Sequence, residues 1–194
     1  IRDRNLGGRV IKESNLLGLA EWRRVSDWRI TQINKLSNVE IYRESELVAK
    51  DVTELNADFV MIATGAKWSE DALGRHSDTG FETVDTNMII GAEHVLNGEK
   101  IDGDRIVIYD DDHYYIGSVM ALELSRRGHS VVLVTPAGRA CSWGEYTDEQ
   151  VPSNLALYDA NVKVITNKTI INVARGVAEA KCIYSSESIS IKCD

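Results

Sequence analysis

Residues 105–136 read RIVIYDDDHYYIGSVMALELSRRGHSVVLVTP, and this stretch decides the fold. Ile106 to Tyr109 and Val131 to Val134 are short, unbroken apolar runs, which are typical of strands covered on both faces of a parallel sheet. Between them, apolar residues recur at helical spacing: Ile116, Val119, Met120 and Leu124. Gly128 follows as the left-handed residue that ends a helix. The pattern predicts a βαβ unit, and its crossover is expected to be right-handed.

The turn between this strand and helix lacks the G-x-G-x-x-G signature, in which glycines let the backbone approach a pyrophosphate. The three glycine positions hold Asp110, Asp112 and Tyr115 instead. Asp111 adds a third carboxylate, and at an effective dielectric of ~20 each carboxylate about 5 Å from a phosphate charge costs roughly 3 kcal/mol. After the second strand, Thr135-Pro136 stands where an acidic residue would hold a ribose 2′-hydroxyl. We therefore expect a nucleotide-binding architecture that has lost its ligand, with Asp112 accepting hydrogen bonds from the first helical turn.

The composition limits the class of protein. A chain of 194 residues, of which 43% are hydrophobic, can bury a core in one domain or in two small ones. No apolar run approaches the ~20 residues that span a bilayer, and the first ten residues lack the apolar core of a signal peptide. A net charge of −8, with acids spread along the chain, argues against a nucleic-acid partner. Cys141, Cys182 and Cys193 have no C-x-x-C spacing and are expected to be reduced thiols in a cytoplasmic protein.

Two stretches in the first half suggest a ligand. Leu6-Gly7-Gly8-Arg9 is a loop in which glycines allow close backbone approach and a guanidinium suits a phosphate. Ala57 to Ala66, ADFVMIATGA, predicts a buried strand that ends in a small-residue turn, where backbone amides can face a cofactor at a sheet edge. The other elements expected in this half are a helix from about Leu19 to Leu36 with Trp22 and Trp28 in the core, and strands at Asn38–Tyr42 and Ser45–Val48.

The remaining segments complete an α/β pattern. Trp68 to Asp85 has no periodicity and is expected to be a surface loop, so its His76, like His94 further on, is interpreted as a solvated side chain without a catalytic role. The elements expected after the βαβ unit are a helix from its N-cap Thr147 to about Asp159, strands at 162–166 and 169–173, and a hairpin of 180–184 with 188–192. Because the chain opens on a Gly-Gly loop and closes on an alternating strand, we interpret it as a fragment of a longer polypeptide.

Four stretches occur in the order found in flavoproteins with two dinucleotide-binding domains: LGGR at 6–9, GLAEWRRVSDWRITQI at 18–33, ADFVMIATGA at 57–66, and the βαβ unit. Over almost its whole length, the chain resembles the C-terminal portion of the trimethylamine dehydrogenase family, which includes dimethylamine and histamine dehydrogenase. It is more distantly similar to dienoyl-CoA reductase. The degenerate turn YDDDHYYIG at 109–117 is the most telling part, because the amine dehydrogenases have lost the glycines that the reductases keep.

The resemblance implies a Rossmann-like α/β fold of the FAD/NAD(P)-binding type, with three layers around a parallel sheet and two subdomains. Residues 1–100 would be a partial ADP- or FAD-binding-like domain, and residues 101–194 a second, degenerate NAD(P)-binding-like domain. The family joins a barrel that carries covalent FMN and the amine site to a four-iron cluster, and then to these two domains. None of the FMN or cluster segments is present here, so this portion is expected to have a structural and ADP-binding role and no catalytic residue.

The resemblance also implies which residues would hold ADP (or FAD). They are Leu6, Gly7, Gly8 and Arg9 near the ribose and phosphates, Glu46 and Leu47 near adenine, and Ala63, Thr64 and Gly65 at the sheet edge. The opening G-x-G-x-x-G strand of that site, which the family also uses, would precede Ile1.

The partners implied by the resemblance are the rest of the parent enzyme, a second copy in a homodimer, and an electron-transfer flavoprotein. Relatives dock that flavoprotein at a surface which the segment Trp22 to Trp28 resembles, and Arg24 stands here where some relatives have an aromatic residue. Two other interpretations stay open: an NAD(P)H-dependent reductase of the dienoyl-CoA type, against which the residues of the turn argue, and a free-standing interaction domain without a ligand. The amine substrate is not given by the sequence, because no barrel residue is present.

Overall fold

The computed structural model of the chain describes Ile1 and residues 3–194. These residues form two compact units, Ile1–Lys67 (unit 1) and Trp68–Asp194 (unit 2). No helix in the described part of the chain is both long enough and apolar enough to cross a membrane.

Unit 1 contains three helices. They are α1 (Gly8–Glu13), α2 (Trp22–Ile33) and α3 (Ala49–Glu54). Helix α1 packs on α2, and Gly7 allows this approach, because a methyl group there would lie 2.5 Å from both the Ile11 side chain and Ser26 Oγ. Gly7 also has a φ of +109°, a conformation that favours glycine. The helix expected near residues 19–36 is therefore present, and the first glycine of the Gly-Gly loop has a packing role.

The strands predicted in unit 1 are wrong. None of the segments 38–42, 45–48 and 57–66 is a strand in the structure as described. The apolar side chains of the last segment lie in solvent, with Phe59, Met61 and Ile62 exposed by 91%, 94% and 84%. Trp22 and Trp28 are exposed as well and do not form the predicted core. A strand requires a neighbour that completes its backbone hydrogen bonds, and an apolar run by itself does not show that this neighbour exists.

Unit 2 carries all the strands that the structure describes. Its elements are, in order, β1 (Thr83–Val84), α4 (Ala92–Leu96), β2 (Arg105–Tyr109), α5 (Ile116–Arg126), β3 (Ser130–Val134), α6 (Gln150–Asp159), β4 (Lys163–Ile165), β5 (Lys168–Ala174), β6 (Val177–Cys182) and β7 (Ser188–Lys192). Two 3-10 helices, Thr86–Met88 and Ser142–Thr147, lie among them.

A parallel sheet in the order β2-β3-β4 confirms the predicted βαβ unit. Helix α5 connects β2 to β3 and packs on both strands. The apolar positions of the pattern are buried: Leu133 and Val134 of β3 are fully covered, and Leu124 of α5 is 2% exposed. Gly128 has a φ of +99°, as expected for the residue that follows a helix. The sheet is thus covered as the sequence pattern requires.

A second sheet, in the order β1-β5-β6-β7, is parallel between β1 and β5 and antiparallel along the rest. The predicted hairpin of β6 and β7 is confirmed, but β6 begins at Val177 rather than at residue 180. Arg175 and Gly176, with φ values of +54° and +75°, form a tight two-residue turn that joins β5 to β6. Isoleucines 170 and 191 contribute to the core of this sheet. All three cysteines are free thiols, and two of them are buried.

Helix α6 begins two residues later than predicted, because its N-cap is Glu149 and not Thr147. Thr147 does not cap it, because Thr147 Oγ1 donates to the Gly144 carbonyl at 3.3 Å and to the Glu149 carboxylate at 2.7 Å. Asp148 has a φ of +60° and separates the preceding 3-10 helix from α6. The Thr-x-x-Gln pattern was therefore a poor guide to the boundary.

The spacing of Glu123 and Arg127 in the sequence predicts an ion pair four residues apart on the solvent-facing side of α5. The pair is present, with Arg127 Nε 2.9 Å from Glu123 Oε1, and Arg126 joins it at 2.7 Å. The expected solvent exposure is wrong, since Glu123 is only 3% exposed. Arg127 also donates to the carbonyls of Val95 and Glu99. The Arg126 guanidinium, opposed by burial and supported by Arg127, lowers the pKa of the Glu123 carboxyl.

Replacing Glu123 by glutamine is expected to lower the free energy of unfolding by about 1–2 kcal/mol at pH 7, because two ion pairs become hydrogen bonds from charged arginines to an uncharged amide oxygen. The folded pKa lies below the unfolded value, so this stabilisation is present above the ordinary pKa of 4.5 and is lost as the pH falls. Urea denaturation at pH 7 and at low pH measures the difference. Glu54→Gln, in the exposed Lys50–Glu54 pair, is the matched control and should change stability by less than ~0.5 kcal/mol. Equal effects of the two substitutions would contradict the prediction.

Candidate functional site

The turn between β2 and α5 is organised by the carboxylate of Asp110. Its backbone amide continues the sheet by donating to the Val134 carbonyl at 2.9 Å. Its Oδ1 accepts hydrogen bonds from the amides of Asp112 at 3.1 Å and His113 at 3.2 Å. Asp112 is expected from the sequence to accept hydrogen bonds from the first helical turn, but in this turn it is Asp110, the carboxylate nearest the strand end, that accepts from backbone amides, and these amides precede the helix. In a dinucleotide-binding turn, such amides face a phosphate.

Gly117, in the first turn of α5, is the residue that lets the helix approach this carboxylate. A methyl group at Gly117 would lie 2.6 Å from the Asp110 carboxyl carbon, well inside normal contact. Asp110 is 4% exposed, and its Oδ2 makes no hydrogen bond to any residue that the structure describes. Burial raises the pKa of Asp110 to about 6, although the two amides oppose this shift. The sequence analysis missed Gly117, whose signal was a glycine inside an otherwise strong helical pattern.

A second group of polar side chains joins the loop before β1 to the same turn. Asp111 Oδ1 lies 2.7 Å from His76 Nδ1 and 3.2 Å from His113 Nε2. Asp111 Oδ2 accepts from the His76 amide at 3.1 Å. The two imidazole rings are 5.2 Å apart and meet edge to face. His76, interpreted from the sequence as solvated, is therefore held by a carboxylate 35 residues away, and no local pattern could have revealed this pairing.

His113 is the most buried member of this group. It is 3% exposed and has a φ of +69°, in the left-handed region. Its carbonyl accepts from the Trp143 amide at 2.9 Å, and Arg75 places its guanidinium 4.1 Å from the centre of the Trp143 ring. Burial lowers the pKa of His113, with Asp111 opposing the shift. Burial therefore favours the neutral imidazole.

A cleft of about 960 Å³ in unit 2 runs past this turn. Apolar residues of β2, α5 and β5 line much of it, for example Ile106, Met120 and Ile170. The carboxylates of residues 110–112 border it as well. Its size would admit a cofactor, but its charge disfavours an anionic one.

The residues implied for ADP lie in unit 1. Arg9 Nη2 donates to the Ala66 carbonyl at 2.6 Å, so the structure brings the segment Leu6–Arg9 next to the end of the Ala63–Gly65 segment. The predicted loop at 6–9 is only partly correct, because Gly8 and Arg9 form the start of α1. Gly8 and Gly65 have φ values of +50° and +81° and open space where a side chain would stand. Glu46 and Leu47 are exposed and follow Ser45, whose amide donates to the Ile1 carbonyl at 2.9 Å.

The model of one protein family, described as OYE-like second alpha/beta domain, matches residues 90–191. The chain belongs to this family. Dimethylamine dehydrogenase from Hyphomicrobium sp. (strain x) is 31% identical over 180 residues, which are 89% of this chain. The chain therefore contains an OYE-like second alpha/beta domain and resembles an amine dehydrogenase. The sequence motifs predicted the second of these similarities.

Solved structures agree with this assignment. Histamine dehydrogenase from Rhizobium sp. 4-9 matches the whole chain with a TM-score of 0.93 and 35% identity. The 6-hydroxypseudooxynicotine amine oxidase (HisD) from Pseudomonas geniculata N1 matches 98% of it with a TM-score of 0.92 and 30% identity. A 2-naphthoyl-CoA reductase, at 19% identity and a TM-score of 0.76, shares the fold. The chain spans 24%, 30% and 29% of the lengths of the dimethylamine dehydrogenase, the histamine dehydrogenase and the HisD oxidase.

Proposed function

We propose that this chain is the nucleotide-binding-fold portion of an amine-oxidising flavoenzyme. In this proposal the part of the chain that resembles a Rossmann-like NAD(P)-binding domain has lost its ligand, and unit 1 contributes to a site for ADP. The role of the whole portion is structural and ADP-binding, without a catalytic residue. The similarity to dimethylamine and histamine dehydrogenases supports the reaction class.

The observation that carries the loss of the dinucleotide is the position of the Asp110 carboxylate. It accepts hydrogen bonds from two turn amides and lies against Gly117 at the start of α5. A pyrophosphate would need the same amides and the same approach to the helix. The carboxylate therefore substitutes within the chain for the phosphate that this turn would otherwise bind, and a reductase that uses a nicotinamide cofactor here is disfavoured.

The ADP site is supported by the proximity of two glycine-containing segments in unit 1. Arg9 joins them through its hydrogen bond to the Ala66 carbonyl, and neither Gly8 nor Gly65 has a neighbour within 4 Å of the place where a side chain would begin. Exposed backbone next to a guanidinium is suited to a diphosphate. In this proposal the ribose and phosphates lie near Leu6–Arg9 and the adenine near Glu46 and Leu47, and Ala63–Gly65 is a further segment that contacts the nucleotide.

Replacing Gly8 by valine in the intact protein is expected to weaken ADP binding at least about tenfold, or ~1.4 kcal/mol, because the isopropyl group fills the space that the phosphates would approach. The measurement is the ADP that copurifies with the protein, together with a calorimetric titration. Gly98→Val is the matched control: Gly98 also has a positive φ, +72°, and open space, but lies in unit 2. The strain of a β-branched residue at positive φ is then common to both variants. Unchanged ADP content in Gly8→Val would show that the site is elsewhere.

The parent enzyme in this proposal carries FMN and a four-iron cluster in parts outside this chain, oxidises a small amine, and passes electrons to an electron-transfer flavoprotein. It is a cytoplasmic homodimer. The presence of FMN and a four-iron cluster in the parent enzyme is tested by the iron, sulfide and flavin content of the intact protein. A protein without flavin would contradict the proposal.

A further inference from the structure

We propose that His76, Asp111 and His113 bind a divalent transition-metal ion, with Zn²⁺ as the test case. The ion would connect the loop before β1 to the turn after β2. The proposal rests on this cluster alone and does not depend on the proposed function of the chain.

The three donor atoms already converge. One possible ligand atom from each of His76, Asp111 and His113 lies within 4.8 Å of the other two. Asp111 Oδ1 is 2.7 Å from His76 Nδ1 and 3.2 Å from His113 Nε2. Zinc binds imidazole nitrogen and carboxylate oxygen at ~2.0–2.2 Å in tetrahedral geometry, so its donors stand roughly 3.3 Å apart. Small side-chain rotations, each of less than about 1 Å at the donor atom, would bring these three groups to that spacing. Water would supply the fourth ligand.

The orientation of His113 points to a ligand. Its side chain is 4% exposed, and Nε2 has no hydrogen-bond partner among the residues that the structure describes, although it is directed at Asp111. Its other nitrogen, Nδ1, lies 3.5 Å from Thr135 Oγ1. A proton on Nδ1 that is donated to Thr135 leaves the Nε2 lone pair directed into the cluster. Histidines that bind metals are held in this way by a second partner.

The charged residues around the cluster have opposing effects on the binding of a cation. Asp112 and Asp110 add negative charge near the cluster, whereas the Arg75 guanidinium acts against a cation, as it acts against protonation of His113. The Arg75 guanidinium stacks on the Trp143 ring, 4.1 Å from its centre. Two imidazoles and one carboxylate form a ligand set that suits Zn²⁺, Cu²⁺ or Ni²⁺ better than Mg²⁺ or Ca²⁺, which prefer oxygen ligands.

The competing explanation is that hydrogen bonds alone fix the loop before β1 to the turn after β2, without a metal ion. Asp111 accepts from both the amide and the ring of His76 and would hold the loop without an ion. The two explanations differ for His76→Gln, because a glutamine amide can donate to Asp111 but does not replace an imidazole as a metal ligand. They also differ for Thr135→Val, which removes the acceptor for His113 Nδ1. If the cluster binds a metal ion, this variant should weaken zinc binding, whereas the hydrogen bonds between His76 and Asp111 would not depend on Thr135.

The test is calorimetric titration of the intact, chelator-treated protein with ZnCl₂ at pH 7.5, with the bound zinc counted by mass spectrometry after dialysis. The wild type is expected to bind one Zn²⁺ more than the variants His76→Gln and Asp111→Asn, with a Kd of about 1 μM or tighter. Thr135→Val should weaken this site by roughly 10-fold. His94→Gln and His129→Gln, which change the other two histidines, are the matched controls and should leave the additional Zn²⁺ in place. Counting the difference between variants removes the contribution of any other metal site in the parent protein.

Equal zinc content of the wild type and His76→Gln would overturn the proposal, as would a loss of binding in His94→Gln as large as in His76→Gln. Retention of full zinc affinity by Asp111→Asn would also contradict it, because this variant removes the carboxylate on which both imidazoles converge.

Discussion

The free energy of unfolding of Asp110→Asn, measured relative to the wild type, is expected to rise by about 2.5 kcal/mol between pH 4 and pH 8. The Asp110 carboxyl has a pKa of about 6 in the folded chain and an ordinary value of 3.8. The difference of about 2.2 units, at 1.36 kcal/mol per unit, gives a full change of about 3 kcal/mol, of which about 2.5 kcal/mol falls above pH 4 because the unfolded carboxyl is already more than half ionised there.

The sign follows from proton binding. The folded state holds the Asp110 proton between pH 3.8 and about 6, whereas the unfolded state has released it. The contribution of Asp110 to stability is therefore greatest below the unfolded pKa and is lost as the pH rises through the folded pKa. Asparagine keeps an oxygen that accepts from the amides of Asp112 and His113 but cannot ionise. The cost of burying the asparagine amide group does not depend on pH. It changes the stability of the variant equally at every pH and leaves the pH dependence of the difference from wild type unchanged.

Urea denaturation of both proteins at several pH values between 4 and 8 measures this effect. Asp110→Ser removes the same carboxyl with a different side chain, and it should show the same pH dependence relative to the wild type at a different absolute stability. A difference between wild type and Asp110→Asn that stays constant with pH would show that the carboxyl is not buried as described.

The βαβ unit could be predicted because its signals are local. Each strand is one apolar run, the helix has a 3.6-residue period, and a glycine follows its end, so all features agree within 32 residues of sequence. The parallel pairing of β2 with β3 then follows from the connection. By contrast, Phe59 to Ile62 have an equally apolar composition, yet their side chains are exposed. Whether an apolar run becomes a strand depends on a partner segment, which composition does not specify.

The candidate site could be predicted only in part. The absence of glycines and the excess of carboxylates in the turn were visible in the sequence, and they indicated correctly that the turn is acidic. Which carboxylate takes the amides depends on where the strand ends in space, and Asp110 rather than Asp112 occupies that place. The contact of His76 with Asp111 joins residues 35 positions apart, so only the folded chain brings them together.

Nicotinamide cofactors are expected not to bind at the β2–α5 turn, and three physical reasons agree. The amides of Asp112 and His113 already donate to a carboxylate. That carboxylate is packed against Gly117 with no room for even a methyl group, so it has little freedom to move aside for a phosphate. At pH 7.5, above its pKa of about 6, Asp110 is also charged, and a phosphate about 5 Å away would be repelled by roughly 3 kcal/mol at an effective dielectric of ~20. The helix N-terminus offers ~0.3–1 kcal/mol to an anion, which does not offset this repulsion.

Calorimetric titration of the protein with NADH and with NADPH, at pH 7.5 and low salt, tests this claim most directly, because low salt preserves any electrostatic attraction that exists. We predict no saturable heat up to about 1 mM of either cofactor, which corresponds to binding weaker than ~4 kcal/mol. A micromolar dissociation constant that is lost when residues of the turn between Asp110 and Tyr115 are substituted would contradict the account.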